Sequence, residues 1–258
     1  MPVVTISGTS GANAVTINTA GIYSVNLGSG DDTLTVTAPT NITAHGGVGN
    51  DSLSVNTSTG LIYGDSGVDT IYAQYGSYTV FGGTGAVDPG DGKDSISVDT
   101  ATAIVYGNGG NDTISVTYGA YTVYGGNGND SVLGSYDGAI VYGQAGSDTI
   151  SLSEGGFTVY GGSAGVDTAD LNDSITVSEA QAVIYGNAGA DTISASEGGY
   201  TVYGGLGGAG LRERRLGSHQ RAFRADGKRR LRHHHRVLRQ RADGLWRRRR
   251  RHDPSREQ

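Results

Sequence analysis

A chain of 258 residues with 45 Gly, only 4 Pro and no Cys is neither collagen-like nor a Pro-rich linker, and disulfides cannot stabilise it. It has no apolar run long enough to span a membrane, and the start, MPVVTISGTSG, lacks the charged and apolar regions of a Sec-type signal peptide. The net charge of −6 conceals a split: residues 1–210 carry −19 with Lys93 as their single basic residue, and residues 211–258 carry +13. A change this abrupt marks a boundary.

In chain order, residues 1–26 read as a diverged N-terminal coil or cap. NLGSGDDTLTV at 26–36 reads as a shortened first repeat. A pattern of aliphatic, aromatic, Gly then recurs. His45, Tyr63, Phe81, Tyr106, Tyr124, Tyr142, Tyr160, Tyr185 and Tyr203 hold its aromatic place, at spacings of 18, 18, 25, 18, 18, 18, 25 and 18. Two seven-residue insertions therefore interrupt an otherwise strict period. Each unit holds a short strand ending in Tyr, a Gly-rich turn closing on Asp, a second strand and a second turn. Two strands and two turns in so short a period make one coil of a flattened solenoid. The expected fold is all-β, a right-handed parallel β-roll or β-solenoid over residues 27–210.

Alternation of β-branched and polar residues predicts which side chains point inward. The aliphatic residue before each aromatic (Ile62, Val80, Val105 and their equivalents) should do so. So should the aliphatic residue two after each Asp. Two places before the first set stand Gly60, Tyr78, Ala103, Tyr121, Ala139, Phe157, Ala182 and Tyr200. Large and small alternate there, which predicts interdigitated packing over two coils. The column from Tyr63 has the opposite parity and should form an outward ladder. A structural role for it is the plain reading; a surface for a partner or glycan is the alternative.

The turn after each aromatic carries the chemistry. GGNGNDSVL at 125–133 and GGVGNDSLS at 46–54 resemble the nonapeptide GGxGxDxUx of the RTX (repeats-in-toxin), or hemolysin-type, calcium-binding family. The other turns keep Gly first, Asp sixth and an aliphatic eighth. Their second place alternates between Gly and Asp65, Asn108, Gln144 or Asn187. Asn and Asp tolerate the left-handed backbone that Gly supplies; Gln144 is the least expected of the four.

The resemblance implies calcium held between stacked turns. The matching carboxylates are Asp51, Asp69, Asp94, Asp112, Asp130, Asp148, Asp173 and Asp191. The matching first-place carbonyls are those of Gly46, Gly64, Gly107, Gly125, Gly143 and Gly186. Calcium takes six to eight oxygens, and glycines let several carbonyls approach one point. The alternative is a metal-free solenoid whose Asp residues cap turns. Charge weighs against it: carboxylates about 4.8 Å apart repel by roughly 0.9 kcal/mol even in bulk water. The second turns (STATG, TYGA, SYDG, SEGG) lack the motif, so one calcium column is expected where typical RTX rolls have two. The insertions add Asp88 and Asp91 before Asp94, and Asp167 and Asp170 before Asp173. These are either elaborated calcium sites or solvated loops.

Residues 211–258 break the pattern with RRRRR at 247–251 and HHH at 233–235. Codons compatible with LWRRRRRHD at 245–253, read one base later, give Tyr-Gly-Gly-Gly-Ala-Gly-Asp-Thr-Ile. The tail therefore reads as solenoid sequence translated out of frame, without a stable fold of its own. A genuine basic tail or a fusion remnant are the alternatives. No nucleic-acid partner is expected.

No HExxH or Cys occurs, so the chain is not expected to be an enzyme. The expected function is calcium binding that drives folding of a structural module in a secreted or cell-surface protein, of the kind exported by type I secretion. The alternative is an adhesion face for glycan, surface-layer or ice ligands. Thr79, Thr122, Thr158 and Thr201 alternate there with Leu61, Ile104, Ile140 and Val183.

Overall fold

The computed structural model describes residues 1–38, 40–56, 59–85, 91–136, 138–164, 169–205, 210–214 and 220–223, with side chains to residue 205. These residues form a parallel β-solenoid of about 10 turns, with no helix among them. Successive strands alternate between two sheets. One holds 12 strands, from Val3–Thr9 to Gln220–Phe223; the other holds 11, from Ala14–Ile17 to Gly210–Arg214. The first is called the aromatic sheet here and the second the hydroxyl sheet, after their outer faces. On the hydroxyl sheet Ser52, Thr70, Ser95, Thr113, Ser131, Thr149, Ser174 and Thr192 stand in one outward row.

Strand period two sorts the side chains. Ile62, Val80, Val105, Val123, Val141, Val159 and Ile184 are fully buried. From the hydroxyl sheet, Leu53, Ile71, Ile96, Ile114, Val132, Ile150, Ile175 and Ile193 meet them. The predicted two-coil order is present: Tyr78, Tyr121, Phe157 and Tyr200 are buried in alternation with Ala103, Ala139 and Ala182. The buried tyrosines keep their hydroxyls satisfied. Tyr78 donates to the Gln74 carbonyl at 2.7 Å, and Tyr121 and Tyr200 donate to those of Thr117 and Ser196. Size matching recurs in the hydroxyl sheet. Gly134 faces Leu152 in the next strand, and a Cβ on Gly134 would lie 2.7 Å from a Leu152 methyl. Interiors packed this closely register a single methyl group.

The outward ladder is continuous from His45 to Tyr203. Its ring centroids lie 4.4–4.9 Å apart, with planes within 8°. Both insertions leave the register intact. Ser77 pairs with Thr102 across the first, and Thr149 with Ser174 across the second. Asp88 and Asp167, within the insertions, lie outside the described residues.

At the N-terminus, Val3–Thr9, Ala14–Ile17 and Gly21–Gly28 stack as regular strands, with Val3 opposite Ile22. Past residue 210, Gly210–Arg214 and Gln220–Phe223 continue the two sheets. The remainder of the Arg-rich tail, on which the expectation of no stable fold chiefly rests, lies outside the described residues. No helix among the described residues is long and apolar enough to cross a membrane.

Candidate metal centre

Each Gly-rich turn leaves the aromatic sheet and closes on an Asp at the start of a hydroxyl-sheet strand. In-register stacking of the coils brings these Asp residues into one column on one edge. Asp51, Asp69, Asp94, Asp112, Asp130, Asp148, Asp173 and Asp191 are each 1–3% exposed. Burial of so many carboxylates needs an account, since a buried charge without compensation is costly.

Half of the account lies in the backbone. Oδ1 of Asp69 accepts the N–H of Asp51 at 2.7 Å, and Oδ1 of Asp112 accepts that of Asp94 at 2.8 Å. The same bond links every neighbouring pair down the column. Each carboxylate thus ties its coil to the previous one. The other oxygen is different: all eight Oδ2 atoms are buried without a hydrogen-bond partner.

The glycines show where those oxygens point. A Cβ built on Gly107 would lie 2.4 Å from Oδ2 of Asp112 and 2.1 Å from the carbonyl oxygen of Gly125, in the next coil. On Gly125 it would meet Oδ2 of Asp130 and the carbonyl of Gly143, both at 2.5 Å. The arrangement recurs at Gly46, Gly64, Gly82, Gly143, Gly161 and Gly186. Eight cradles result, each formed by an absent side chain, an unpartnered carboxylate oxygen and a carbonyl from the following coil. This donor set is all oxygen and suits a hard cation such as calcium. No group of three or more His, Cys, Asp or Glu converges among the described residues. Such a group is not required where main-chain carbonyls complete the coordination.

Five of the six expected first-place carbonyls (those of Gly64, Gly107, Gly125, Gly143 and Gly186) face a cradle. Gly46 forms the floor of the first cradle. Gly82, Gly161 and Gly204 contribute carbonyls that the sequence reading left out. Asp32 extends the buried column by one place: its N–H donates to Oδ1 of Asp51, and its own Oδ1 accepts from Asn13. Leu27 stands where the later coils have Gly, so the cradle is not repeated there.

The second place of the motif is left-handed throughout the regular coils. Asp65, Asn108, Gln144 and Asn187 have φ of +63° to +76°, and Gly126 has +120°. Gly126 cannot be exchanged for them, because a Cβ there would lie 2.1 Å from the Asn108 carbonyl oxygen. The opposite edge is built differently. Its turns place Tyr75, Tyr118, Glu154 and Glu197 at φ of +54° to +58°, exposed and without a buried carboxylate.

Burial raises the column's pKa values, and repulsion from nearby carboxylates adds to it at all but Asp130. Asp69, Asp112 and Asp173 are pushed up to about 8, Asp94 and Asp148 to about 7, and Asp51, Asp130 and Asp191 to about 6. Burial is the largest cause in each. The contact of His45 Nδ1 with Asp65 Oδ2, at 3.0 Å, lies at the ladder's end and involves none of them.

The family model for the RTX calcium-binding nonapeptide repeat matches 4 copies, within residues 59–86, 105–135 and 178–208. The chain carries RTX calcium-binding repeats. No curated protein matches it. The matched RTX segments contain the column residues Asp69, Asp112, Asp130 and Asp191. Asp51, Asp94, Asp148 and Asp173 lie outside them, and the stacking gives these residues the same geometry as those in the matched RTX turns.

Proposed function

We propose that the chain is a calcium-dependent structural module that works outside the cytoplasm. Its ligands are the eight column carboxylates from Asp51 to Asp191, with the first-place glycine carbonyls. One observation carries the reading: eight buried Oδ2 atoms without partners each face the space of a missing Cβ beside a carbonyl oxygen. Bound calcium supplies the positive charge that this edge lacks. The residues do the rest. Oδ1 fixes the carboxylate to the backbone, so Oδ2 is held toward the cradle in the folded coil. Calcium sites of extracellular modules bind at about 0.1–1 mM, a range met outside cells and not in the cytosol. Such a module folds where calcium is plentiful.

Equilibrium dialysis of the chain against calcium should show saturable binding in the millimolar range. The Gly125→Ala variant, which places a methyl in one cradle, should bind fewer ions and lose about 1–3 kcal/mol of stability. Absence of binding at about 10 mM calcium, an order of magnitude above that range, rules the reading out.

A second reading, adhesion, is supported by the outer face of the aromatic sheet. Leu61, Ile104 and Ile140 are exposed there, in register with Thr79, Thr122 and Thr158. A flat face repeating every second coil suits a ligand that itself repeats. Retention of the chain on a glycan array, lost on Ile104→Lys, supports it; an empty array counts against a glycan ligand.

A further inference from the structure

We propose that the two inserted coils each form a calcium site tighter than the others, with Asp91 and Asp170 as added carboxylates. The inference rests on the calcium reading above. In both coils the seven extra residues enter between the second and third places of the motif. Asp91 and Asp170 therefore take the third place, where the following coils have Gly109 and Ala188. The hydrogen bonds agree with this alignment: the N–H groups of Gly109 and Ala188 donate to Oδ2 of Asp91 at 2.9 Å and of Asp170 at 2.8 Å.

Both side chains turn back on the second-place glycine. A Cβ on Gly83 would lie 2.2 Å from Oδ2 of Asp91, and one on Gly162 would lie 2.2 Å from Oδ2 of Asp170. The glycine before each, Gly82 or Gly161, faces the column carboxylate of Asp94 at 2.3 Å or Asp173 at 2.1 Å by the same measure. Consecutive Cα atoms are about 3.8 Å apart. Each inserted coil thus brings two carboxylates to two adjoining glycines, where a regular coil brings one. The pointer to a cation is independent of this clustering: Oδ2 of Asp94 and of Asp173 are buried, partnerless and aimed into the cradle. The geometry arises twice from different loop sequences, TGAVDPG and SAGVDTA, which share only an Ala-Val-Asp or Gly-Val-Asp core. Lys93, the basic residue nearest in sequence, is exposed.

Calcium affinity rises with the charge of the ligand set. The inserted coils should therefore fill first as calcium rises, four coils apart, and organise the coils between them. A calcium binding isotherm of the full chain at neutral pH tests this. Two ions should bind at least about 10-fold more tightly than the rest. The paired variant Asp91→Asn, Asp170→Asn should lose this tight class and keep the weaker one; each single variant should lose one tight ion. Asn retains an oxygen for the Gly109 and Ala188 N–H groups, and circular dichroism at saturating calcium checks that the variants fold. A single-class isotherm for the unaltered chain overturns the proposal, with no variant needed. So does a paired variant that still shows two tight ions. A chain that binds no calcium at all instead removes the reading on which the proposal stands.

Discussion

Chelation of calcium at neutral pH is expected to abolish the solenoid's β-sheet circular dichroism, and calcium added back to about 1 mM is expected to restore it. The magnitude follows from linkage. An ion that binds only the folded chain stabilises it by about 1.4 kcal/mol at a tenfold excess over its Kd. A typical domain has about 5–15 kcal/mol of net stability, so a few cradles suffice to decide whether the chain folds. The architecture makes the loss spread. Each coil contacts only its neighbours, so a coil that opens removes a partner from two others. Without ions, eight buried carboxylates face one another along one edge with Oδ2 unpartnered. A spectrum unchanged by excess EGTA would falsify calcium-coupled folding.

Acid is expected to replace calcium in part. In chelator, the sheet signal lost near pH 8 should return in part as pH falls to about 5, the reverse of ordinary acid denaturation. The ordinary Asp value is 3.8, and the folded column lies at about 6 to 8 because burial disfavours its charged form. The folded chain therefore binds protons more tightly than the unfolded chain. That stabilisation is complete below about pH 4 and disappears as pH rises through the folded values. A protonated Oδ2 also becomes a donor, and a glycine carbonyl oxygen lies beside it in each cradle. With calcium present the trend should invert, because protons compete with the ion for the same oxygens. Circular dichroism in EGTA at the two pH values decides it: no more sheet signal at the acid end than near pH 8 sinks the account.

Much of this was legible in the sequence for a physical reason. A coil must close on itself, so residues that meet must recur at the length of one turn. The period therefore exposed the Tyr ladder, the buried Val row and the eight Asp residues together. The misses have equally specific causes. The inserted residues stand between Gly82 and Asp94, and between Gly161 and Asp173, and so hid the place of both glycines in the motif. Asp32 was hidden by a step to Asp51 one residue longer than the period, and by Leu27 in the glycine's place. The left-handed residues Tyr75 and Glu154 are not themselves glycines, although a Gly follows each. The Tyr78 hydroxyl reaches back to the carbonyl of Gln74, a contact that depends on turn shape and not on composition.

The alternation of Tyr78, Ala103, Tyr121 and Ala139 in the core has a consequence for how such a chain can change length. The coil is the unit of folding, but the pair of coils is the unit of growth. Removing residues 103–120 would set Tyr121 directly beside Tyr78 and crowd two rings into one layer, at about 1–3 kcal/mol for the overpacked core. Removing two coils, residues 103–138, would leave Tyr78 next to Ala139 and the alternation whole. Short insertions at the turn pass unnoticed by the sheets, whereas the gain or loss of one whole coil does not. The solenoid thus has a parity, and duplications or deletions that respect it go by two coils at a time.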